Sequence, residues 1–212
     1  MTPPVKAKLR ALFNGILIAL ILLLVYGAYG YSSKNAANNQ SAPVRSSGTA
    51  TVGGPFQMTG SDGQIYSQKD FAGKYMLLYF GYTYCPDVCP LDLQRLTLAL
   101  DSFAAGGGDI SNLQPLFVTI DPARDTPQVM AEYITHFHPS ILGLSGTDAQ
   151  LADMAKAYKV YYQQGDVYED GSYLMDHSSI MYLMGPEGEF VTHISSNEGP
   201  KAFAEKLLRF LP

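Results

Sequence analysis

The chain has 212 residues, of which 47% are hydrophobic and 16% are charged, and its formal net charge is −5. The first 61 residues carry five Lys or Arg and no acid, whereas the rest of the chain carries nine Lys or Arg and 19 Asp or Glu. Such an acidic domain is a poor candidate for binding nucleic acid, and two cysteines are too few for a disulfide framework.

The N-terminal segment predicts a membrane anchor. A basic stretch, residues 1–10, precedes an uncharged and mostly apolar run over residues 11–31. A run of roughly 20 apolar residues spans a bilayer as a single helix. Lys6, Lys8 and Arg10 lie before the run, so the positive-inside rule places the N-terminus in the cytoplasm. The alternative is a cleaved signal peptide, although this run exceeds the usual ~7–15-residue apolar core.

The rest of the chain is then expected on the outer side of that membrane. No Arg- and Ser-rich transit peptide precedes the apolar run, which favours a bacterial inner membrane with the C-terminal domain in the periplasm. Residues 32–52 are rich in Ser, Ala, Asn and Gly, which predicts a flexible tether. The folded domain is expected to cover residues 53–212.

Within this domain, segments typical of strands alternate with segments of helical composition. Strands are predicted at residues 56–59, 64–66, 75–82, 113–120, 141–144, 180–184 and 190–194, with a further hairpin formed by 160–163 and 166–173. Helices are predicted at residues 67–71 as a short turn, then at 91–105, 127–137, 148–158 and 199–210. This order predicts an α/β layered sandwich with a central mixed sheet, as in a thioredoxin-like fold.

Both cysteines lie between a predicted buried strand and a predicted helix. Cys85 and Cys89 have three residues between them, so they share one face if the segment is helical. A helix N-terminus carries partial positive charge and free N–H groups, which stabilise a thiolate. The pair could form a disulfide, hold a metal or be two unrelated buried thiols, and its position favours the first two.

A metal site would need a third ligand, and His177 is the best candidate. In this architecture, the loop before the strand at 180–184 lies beside the cysteine loop, and His177 is expected in that loop. Asp176 or a nearby carbonyl is expected to hold its second ring nitrogen. The remaining histidines are expected to have surface, capping or sheet positions; they are His136, His138 and His193.

Two thiolates and one imidazole form a soft ligand set of low coordination number. Such a set favours Cu(I) or zinc and also holds Cu(II). Structural zinc normally has four protein ligands, whereas three ligands suit a metal that must later leave. The ligand chemistry therefore favours copper, one ion per domain, over zinc.

Three motifs carry a resemblance to a known family. They are FGYTYCPDVCP at residues 80–90, TIDPARDTP at 119–127, and DHS at 176–178 followed by YLMGPEG at 182–188. In this order they resemble the Sco/SenC family, membrane-anchored and thioredoxin-like copper proteins that help to assemble cytochrome c oxidase. The resemblance covers about residues 53–212. Tyr84 stands where many members have His or Phe.

The resemblance implies copper bound by Cys85, Cys89 and His177. It also implies delivery of copper to, or thiol reduction at, the binuclear copper site of oxidase subunit II. Other copper chaperones or thioredoxin-like reductases are further candidate partners. A protein of this kind is expected to bind and deliver a metal as a metallochaperone, and not to turn over a substrate as an enzyme.

Other functions stay open at this point. A thiol–disulfide oxidoreductase would use Cys85 and Cys89 as a redox pair without metal delivery, and would have no use for a ligating histidine. A peroxidase has no supporting motif beyond a cysteine. The segment 121–127 is expected to be a strand-to-helix connector, with Arg124 paired to a local acid or facing a partner. The acidic hairpin at 166–173 is expected to be a solvated loop or a docking element.

Overall fold

The computed structural model describes residues 22–24, 26, 52–195 and 198–211. The chain divides into two units, Met1–Thr49 and Ala50–Pro212. In the first unit, the described residues are helical and their side chains are exposed. The predicted basic segment 1–10, most of the predicted anchor 11–31 and nearly all of the predicted tether 32–52 lie outside the described residues. None of the described helices is long and apolar enough to cross a membrane.

A seven-stranded mixed sheet forms the centre of the second unit. The described strands are β1 (Gln57–Gly60), β2 (Ile65–Ser67), β3 (Tyr75–Gly81), β4 (Leu113–Thr119), β5 (Leu142–Ser145), β6 (Tyr162–Val167), β7 (Tyr173–His177), β8 (Ile180–Met184) and β9 (Phe190–Ser195). The sheet has the order β2-β1-β5-β4-β3-β8-β9, and β6 and β7 form a separate two-stranded hairpin. Because β3 pairs in parallel with β4 and antiparallel with β8, the predicted mixed sheet is confirmed.

The two central strands lead the chain to one edge of the sheet. Every residue of β3 after Tyr75 is buried, so side chains on both faces of this strand are covered. That burial explains the nearly continuous apolar run in its sequence. β3 ends at Gly81, where the cysteine loop begins, and β4 runs parallel beside it. The connector that follows Thr119 therefore leaves the sheet at the same edge as the cysteine loop.

Four α-helices are described in the second unit: α1 (Val88–Ala105), α2 (Pro127–Ile134), α3 (Asp148–Tyr158) and α4 (Pro200–Phe210). Short 3-10 helices cover Gln68–Phe71, close to the predicted turn at 67–71, and Ile110–Asn112. α2 begins as predicted, since the Thr126 hydroxyl accepts a hydrogen bond from the Val129 N–H and Pro127 occupies the first turn. It ends before the predicted residue 137. α1 begins before the predicted residue 91, because Pro90 is tolerated in a first turn, where its missing N–H would have no intrahelical acceptor.

The hairpin β6–β7 corrects one prediction. The expectation that His177 lies in a loop is wrong, because His177 is the last residue of β7 and pairs with Tyr162 of β6. The turn lies at residues 168–172, where Gly171 adopts a φ of 82°, a conformation that favours glycine. Residues of β7 alternate between exposed and half-buried positions, so no continuous apolar run marks the strand. Its sequence signal is therefore weaker than that of the central strands.

Candidate metal centre

The loop between β3 and α1 holds the two cysteines at different depths. Cys85 lies in the loop and is half-buried, whereas Cys89 lies in the first turn of α1 and is fully buried. The backbone N–H of Cys89 donates a hydrogen bond to the Sγ of Cys85 over 3.3 Å. An N–H in the first turn of a helix has no intrahelical acceptor, so it is free to stabilise a thiolate.

The end of β7 brings His177 to the two cysteines. Its Nε2 lies 3.6 Å from the Sγ of Cys89. One ring nitrogen of His177 and the Sγ atoms of Cys85 and Cys89 all lie within 4.8 Å of one another. The Nδ1 atom lies 3.2 Å from the carbonyl oxygen of Ser178. Of the two expected partners for this second nitrogen, the structure thus provides the backbone carbonyl, while Asp176 is exposed.

The other histidines lie apart from this cluster. In the part of the chain that the structure describes, no second group of three His, Cys, Asp or Glu side chains has a metal-binding spacing. His136 and His193 are exposed. The Nδ1 of His138 lies 2.7 Å from the Ser140 hydroxyl, and its Nε2 lies 3.8 Å from the Asp101 carboxylate. These positions agree with the surface, capping and sheet roles expected for the three side chains.

The pKa values of the two thiols are shifted in opposite directions. A hydrogen bond from the Cys89 side chain, aided by His177 and by backbone N–H groups, lowers the pKa of Cys85 to about 3. The same hydrogen bond to Cys85, together with burial, raises the pKa of Cys89. At neutral pH, Cys85 is therefore the thiolate and Cys89 keeps its proton. The more exposed sulfur is the one that is ready to act as a nucleophile or ligand.

Gly81, the last residue of β3, lies close to the sulfur of Cys89. A Cβ atom at this position would lie 2.9 Å from the Sγ of Cys89 and 2.8 Å from the ring of Phe117. Real Cβ atoms do not come this close to their neighbours, so either the sulfur or the ring would have to move. The absence of a side chain here is what lets Cys89 pack against the strand.

A buried polar pair lies beside Cys89. Asp92 is 1% exposed, and its carboxylate accepts a hydrogen bond of 3.0 Å from the Tyr79 hydroxyl and pairs with Arg95 at 2.9 Å. Burial raises the pKa of Asp92. The Tyr79 ring lies edge-on to the His177 ring at 6.4 Å between centroids. This pair is not among the residues predicted from the sequence, although an acid three positions after Cys89 on the buried face of α1 is a usable signal.

A second buried acid holds the start of the cysteine loop. The Asp125 carboxylate accepts hydrogen bonds from the Thr83 N–H at 3.0 Å, the Thr83 hydroxyl at 2.5 Å and the Thr119 hydroxyl at 2.6 Å. Asp125 is fully buried, and burial raises its pKa. The segment 121–127 is therefore more than the connector that its sequence predicts, because it also anchors the backbone two residues before Cys85.

Arg124 occupies the space between this connector and the hairpin. Its Nε pairs with the Asp121 carboxylate, which agrees with the expected local acid. Its Nη1 donates a hydrogen bond of 3.0 Å to the Tyr173 carbonyl oxygen. Its guanidinium carbon lies 3.6 Å from the ring centroid of Tyr173, 4.7 Å from that of Tyr84 and 5.8 Å from that of Tyr82. The side chain thus contacts both the cysteine loop and the strand that carries His177.

Comparison with known proteins identifies the family. The sequence matches the SCO1/SenC family over residues 44–212, which is most of the chain. The chain belongs to the SCO1/SenC family. The resemblance seen in the three sequence motifs is therefore confirmed.

Relatives within the SCO1/SenC family include mitochondrial proteins of fungi and animals. The chain is 39% identical to Protein SCO2, mitochondrial, of Saccharomyces cerevisiae over 192 residues, covering 88% of this chain and 63% of that protein. It is 38% identical to the human Protein SCO1 homolog, mitochondrial, over 175 residues, covering 82% of this chain and 58% of that protein. The chain therefore spans less than two thirds of the length of these relatives.

Solved structures of SCO1/SenC proteins have the same fold. The crystal structure of Arabidopsis thaliana ScoI with copper bound is 39% identical, with a TM-score of 0.70 over 74% of this chain and 96% of that chain. The crystal structure of yeast Sco1 with copper bound is 42% identical, with a TM-score of 0.70 over 75% of this chain and 87% of that chain. The predicted thioredoxin-like α/β fold with a central mixed sheet is confirmed.

The donor atoms of this site fit copper. Two sulfur atoms and one imidazole nitrogen are soft to intermediate donors, which copper prefers to hard oxygen ligands. They lie close enough together to surround one ion, and one of the sulfurs is already a thiolate. The site could therefore bind copper without a large rearrangement of the chain.

Proposed function

We propose that this protein is a copper chaperone that delivers copper to, or prepares the thiols of, the binuclear copper site of cytochrome c oxidase subunit II. The observation that carries the proposal is the convergence of Cys85, Cys89 and His177 from two distant parts of the chain. Copper-bound relatives at 38% to 42% sequence identity support the choice of metal. The oxidase as partner follows from membership of the family.

The three ligands have different parts in this function. Cys85 is half-buried and ionised, so it meets an incoming or departing ion first. Cys89 is fully buried in the first turn of α1, and His177 is half-buried at the end of β7. Copper bound here would have soft donors that a partner's thiols can replace one at a time. A site with three ligands, one of them partly exposed, therefore suits the transfer of copper better than its permanent storage.

We further propose the organisation that the sequence predicts for the whole chain. Residues 1–10 are a cytoplasmic basic segment, 11–31 a single transmembrane anchor, 32–52 a tether and 53–212 the copper-binding domain. In this arrangement the domain works in the periplasm of a bacterial cell, close to the surface of the inner membrane. The charge asymmetry around the apolar run supports this orientation.

A thiol–disulfide oxidoreductase is the second candidate, and the ionised Cys85 favours it. A thiolate with a pKa of about 3 beside a buried thiol resembles a pair that forms and opens a disulfide. A disulfide between Cys85 and Cys89 would also remove two copper ligands. The two functions would then be alternative states of the same pair.

Copper titration of the reduced protein, with Cu(I) and Cu(II) separately, tests the proposal. We expect one copper per chain and a thiolate-to-Cu(II) absorption band. Both should be lost on oxidation of the cysteines, and Cu(II) binding should be sharply weaker in His177→Ala. His193→Ala is the matched control, because His193 is exposed on β9. Absence of tight copper binding together with rapid exchange with a disulfide substrate would instead establish the oxidoreductase.

A further inference from the structure

The hairpin that supplies His177 is not part of the central sheet. β6 and β7 pair only with each other among the described strands, and all of their residues are exposed or half-buried. Strand pairing therefore fixes β7 relative to β6 but does not fix either strand relative to the cysteines. The position of His177 must come from the short connections of the hairpin to α3 and β8 and from contacts between the hairpin and the rest of the domain.

Arg124 contacts both Asp121 and Tyr173, the first residue of β7, and these two residues also contact each other. Its Nη1 binds the Tyr173 carbonyl at 3.0 Å, and its guanidinium stacks on the Tyr173 ring at 3.6 Å. The Tyr173 hydroxyl donates a hydrogen bond of 2.9 Å to Asp121, whose other carboxylate oxygen pairs with Arg124. Asp121 is 4% exposed and the Arg124 side chain 19% exposed, so these contacts are largely shielded from water. Shielding strengthens both the ion pair and the cation–π contact.

The same guanidinium also contacts the cysteine loop. It lies 4.7 Å from the ring centroid of Tyr84, which directly precedes Cys85, and 5.8 Å from that of Tyr82. The Tyr82 hydroxyl accepts a hydrogen bond of 3.2 Å from the Met175 N–H of β7. The Tyr82 ring stands edge-on to the His177 ring, with 6.1 Å between centroids. Arg124 and Tyr82 thus join the loop that carries Cys85 to the strand that carries His177.

We propose that Arg124 is a positioning residue that holds the β6–β7 hairpin against the cysteine loop and thereby places His177 within ligand distance of the cysteines. The proposal rests on the proposed copper function of the site. Lysine could not replace arginine here, because one planar guanidinium binds Asp121 and the Tyr173 carbonyl while stacking on an aromatic ring. Removal of the guanidinium should free the hairpin at Tyr173, four residues before His177.

A double-mutant cycle on Cu(II) affinity tests whether Arg124 acts through His177. We expect Arg124→Met to weaken Cu(II) binding by about tenfold, within the range found for residues that share one network. In a His177→Ala background, the same substitution should change the affinity by less than about twofold, because the ligand it positions is gone. Equal losses in the two backgrounds would show that Arg124 acts through charge or stability, and would overturn the proposal.

Two further variants separate positioning from a general charge effect. Arg124→Lys keeps the charge and should recover only a small part of the lost affinity. Lys206→Met removes a cation of α4 that pairs with Glu198 at 2.8 Å, and it should leave Cu(II) affinity unchanged. If Arg124→Lys bound Cu(II) as tightly as the parent protein, the guanidinium geometry would not matter and the proposal would fail.

A measurement on the metal-free protein keeps this test independent of copper. The Met175 N–H, which binds the Tyr82 hydroxyl, should exchange with solvent at least tenfold faster in Arg124→Met, while the amides of β3 keep their protection. Tyr173→Phe, which loses only the bond to Asp121, should give a smaller acceleration. Unchanged exchange at Met175 would overturn the positioning role even if copper binds well. Failure of the parent protein to bind copper would instead overturn the proposed function.

Discussion

At the scale of single residues, the two cysteines are chemically different although only three residues separate them. Cys85 is half-buried and accepts hydrogen bonds, while Cys89 is fully buried and donates to Cys85 from both its backbone N–H and its side chain. A thiolate reacts with electrophiles and metals, whereas a buried thiol reacts only after it loses its proton. The site therefore presents one accessible ligand, with the second enclosed behind it.

This difference predicts how the cysteines react with iodoacetamide. In the reduced, metal-free protein, Cys85 should be modified at a nearly constant rate from about pH 5 to about pH 8, because a thiol with a pKa of about 3 is fully ionised throughout this range. An ordinary thiol, with a pKa of about 8.5, would react roughly tenfold faster with each pH unit. Mass spectrometry of timed samples gives the rate at each cysteine.

Two variants control the alkylation experiment. Cys85→Ala should leave the protein almost unmodified, since Cys89 is buried and protonated. Cys89→Ala removes the largest cause of the low pKa of Cys85, so its rate profile should move to higher pH. A parent protein whose rate rises tenfold per pH unit would show that Cys85 is an ordinary thiol.

The chemistry of the individual residues also explains which parts of the site can be predicted from the sequence. Cys85, Cys89 and His177 can be proposed because their side chains are rare and the cysteine spacing is local. The pairings of the residues that support them cannot, since the partners are distant in sequence. Asp125 binds Thr83 across 42 positions, and Tyr79 binds Asp92 across 13 positions. No local sequence pattern joins such pairs. The first forms where the segments after the parallel strands β3 and β4 meet, and the second forms where the buried face of α1 meets β3.

At the scale of elements, hydrophobic patterning explains which parts of the fold are predictable. β3 and β4 are buried on both faces and are recognised as continuous apolar runs. The hairpin arms are half-exposed, so their extent depends on the turn at 168–172 and on contacts with Arg124. The sequence therefore does not predict that β7 extends to His177, because tertiary contacts decide where this strand begins and ends.

The junction of β3 and α1 gives a prediction at this scale. Gly81→Ala should destabilise the protein by about 1–3 kcal/mol, because the added methyl overlaps the Cys89 sulfur and the Phe117 ring in a well-packed region. It should also weaken copper binding, since Cys89 must move to make room. Urea unfolding of the reduced protein, followed by circular dichroism, measures the free energy of unfolding.

A matched glycine gives the control for that substitution. Gly199 precedes α4 and has open space where a Cβ would be added. Gly199 is the N-cap of α4, where alanine is disfavoured, so Gly199→Ala should cost at most about 1 kcal/mol, without overlap of any neighbouring atom. If the two substitutions had the same small effect, close approach at Gly81 would not be important for the packing of Cys89.

At the scale of the whole molecule, the site joins segments that are far apart in the chain. The cysteine loop follows β3, the segment 121–127 follows β4, and His177 ends a hairpin outside the main sheet. A ligand that binds all three donors would link the hairpin to the sheet. Copper affinity and the stability of the fold should therefore be coupled, because the unfolded chain does not hold the three donors together.

This coupling predicts that copper stabilises the reduced protein against unfolding. At a free Cu(I) concentration 100 times the dissociation constant, the gain should approach about 2.7 kcal/mol, reduced by any binding to the unfolded cysteines. Urea unfolding without oxygen, with and without a Cu(I) chelator, measures the difference. The gain should shrink in His177→Ala and persist in His193→Ala. If His177→Ala kept the full gain, copper would be held by the cysteines alone and would add no link between the hairpin and the sheet.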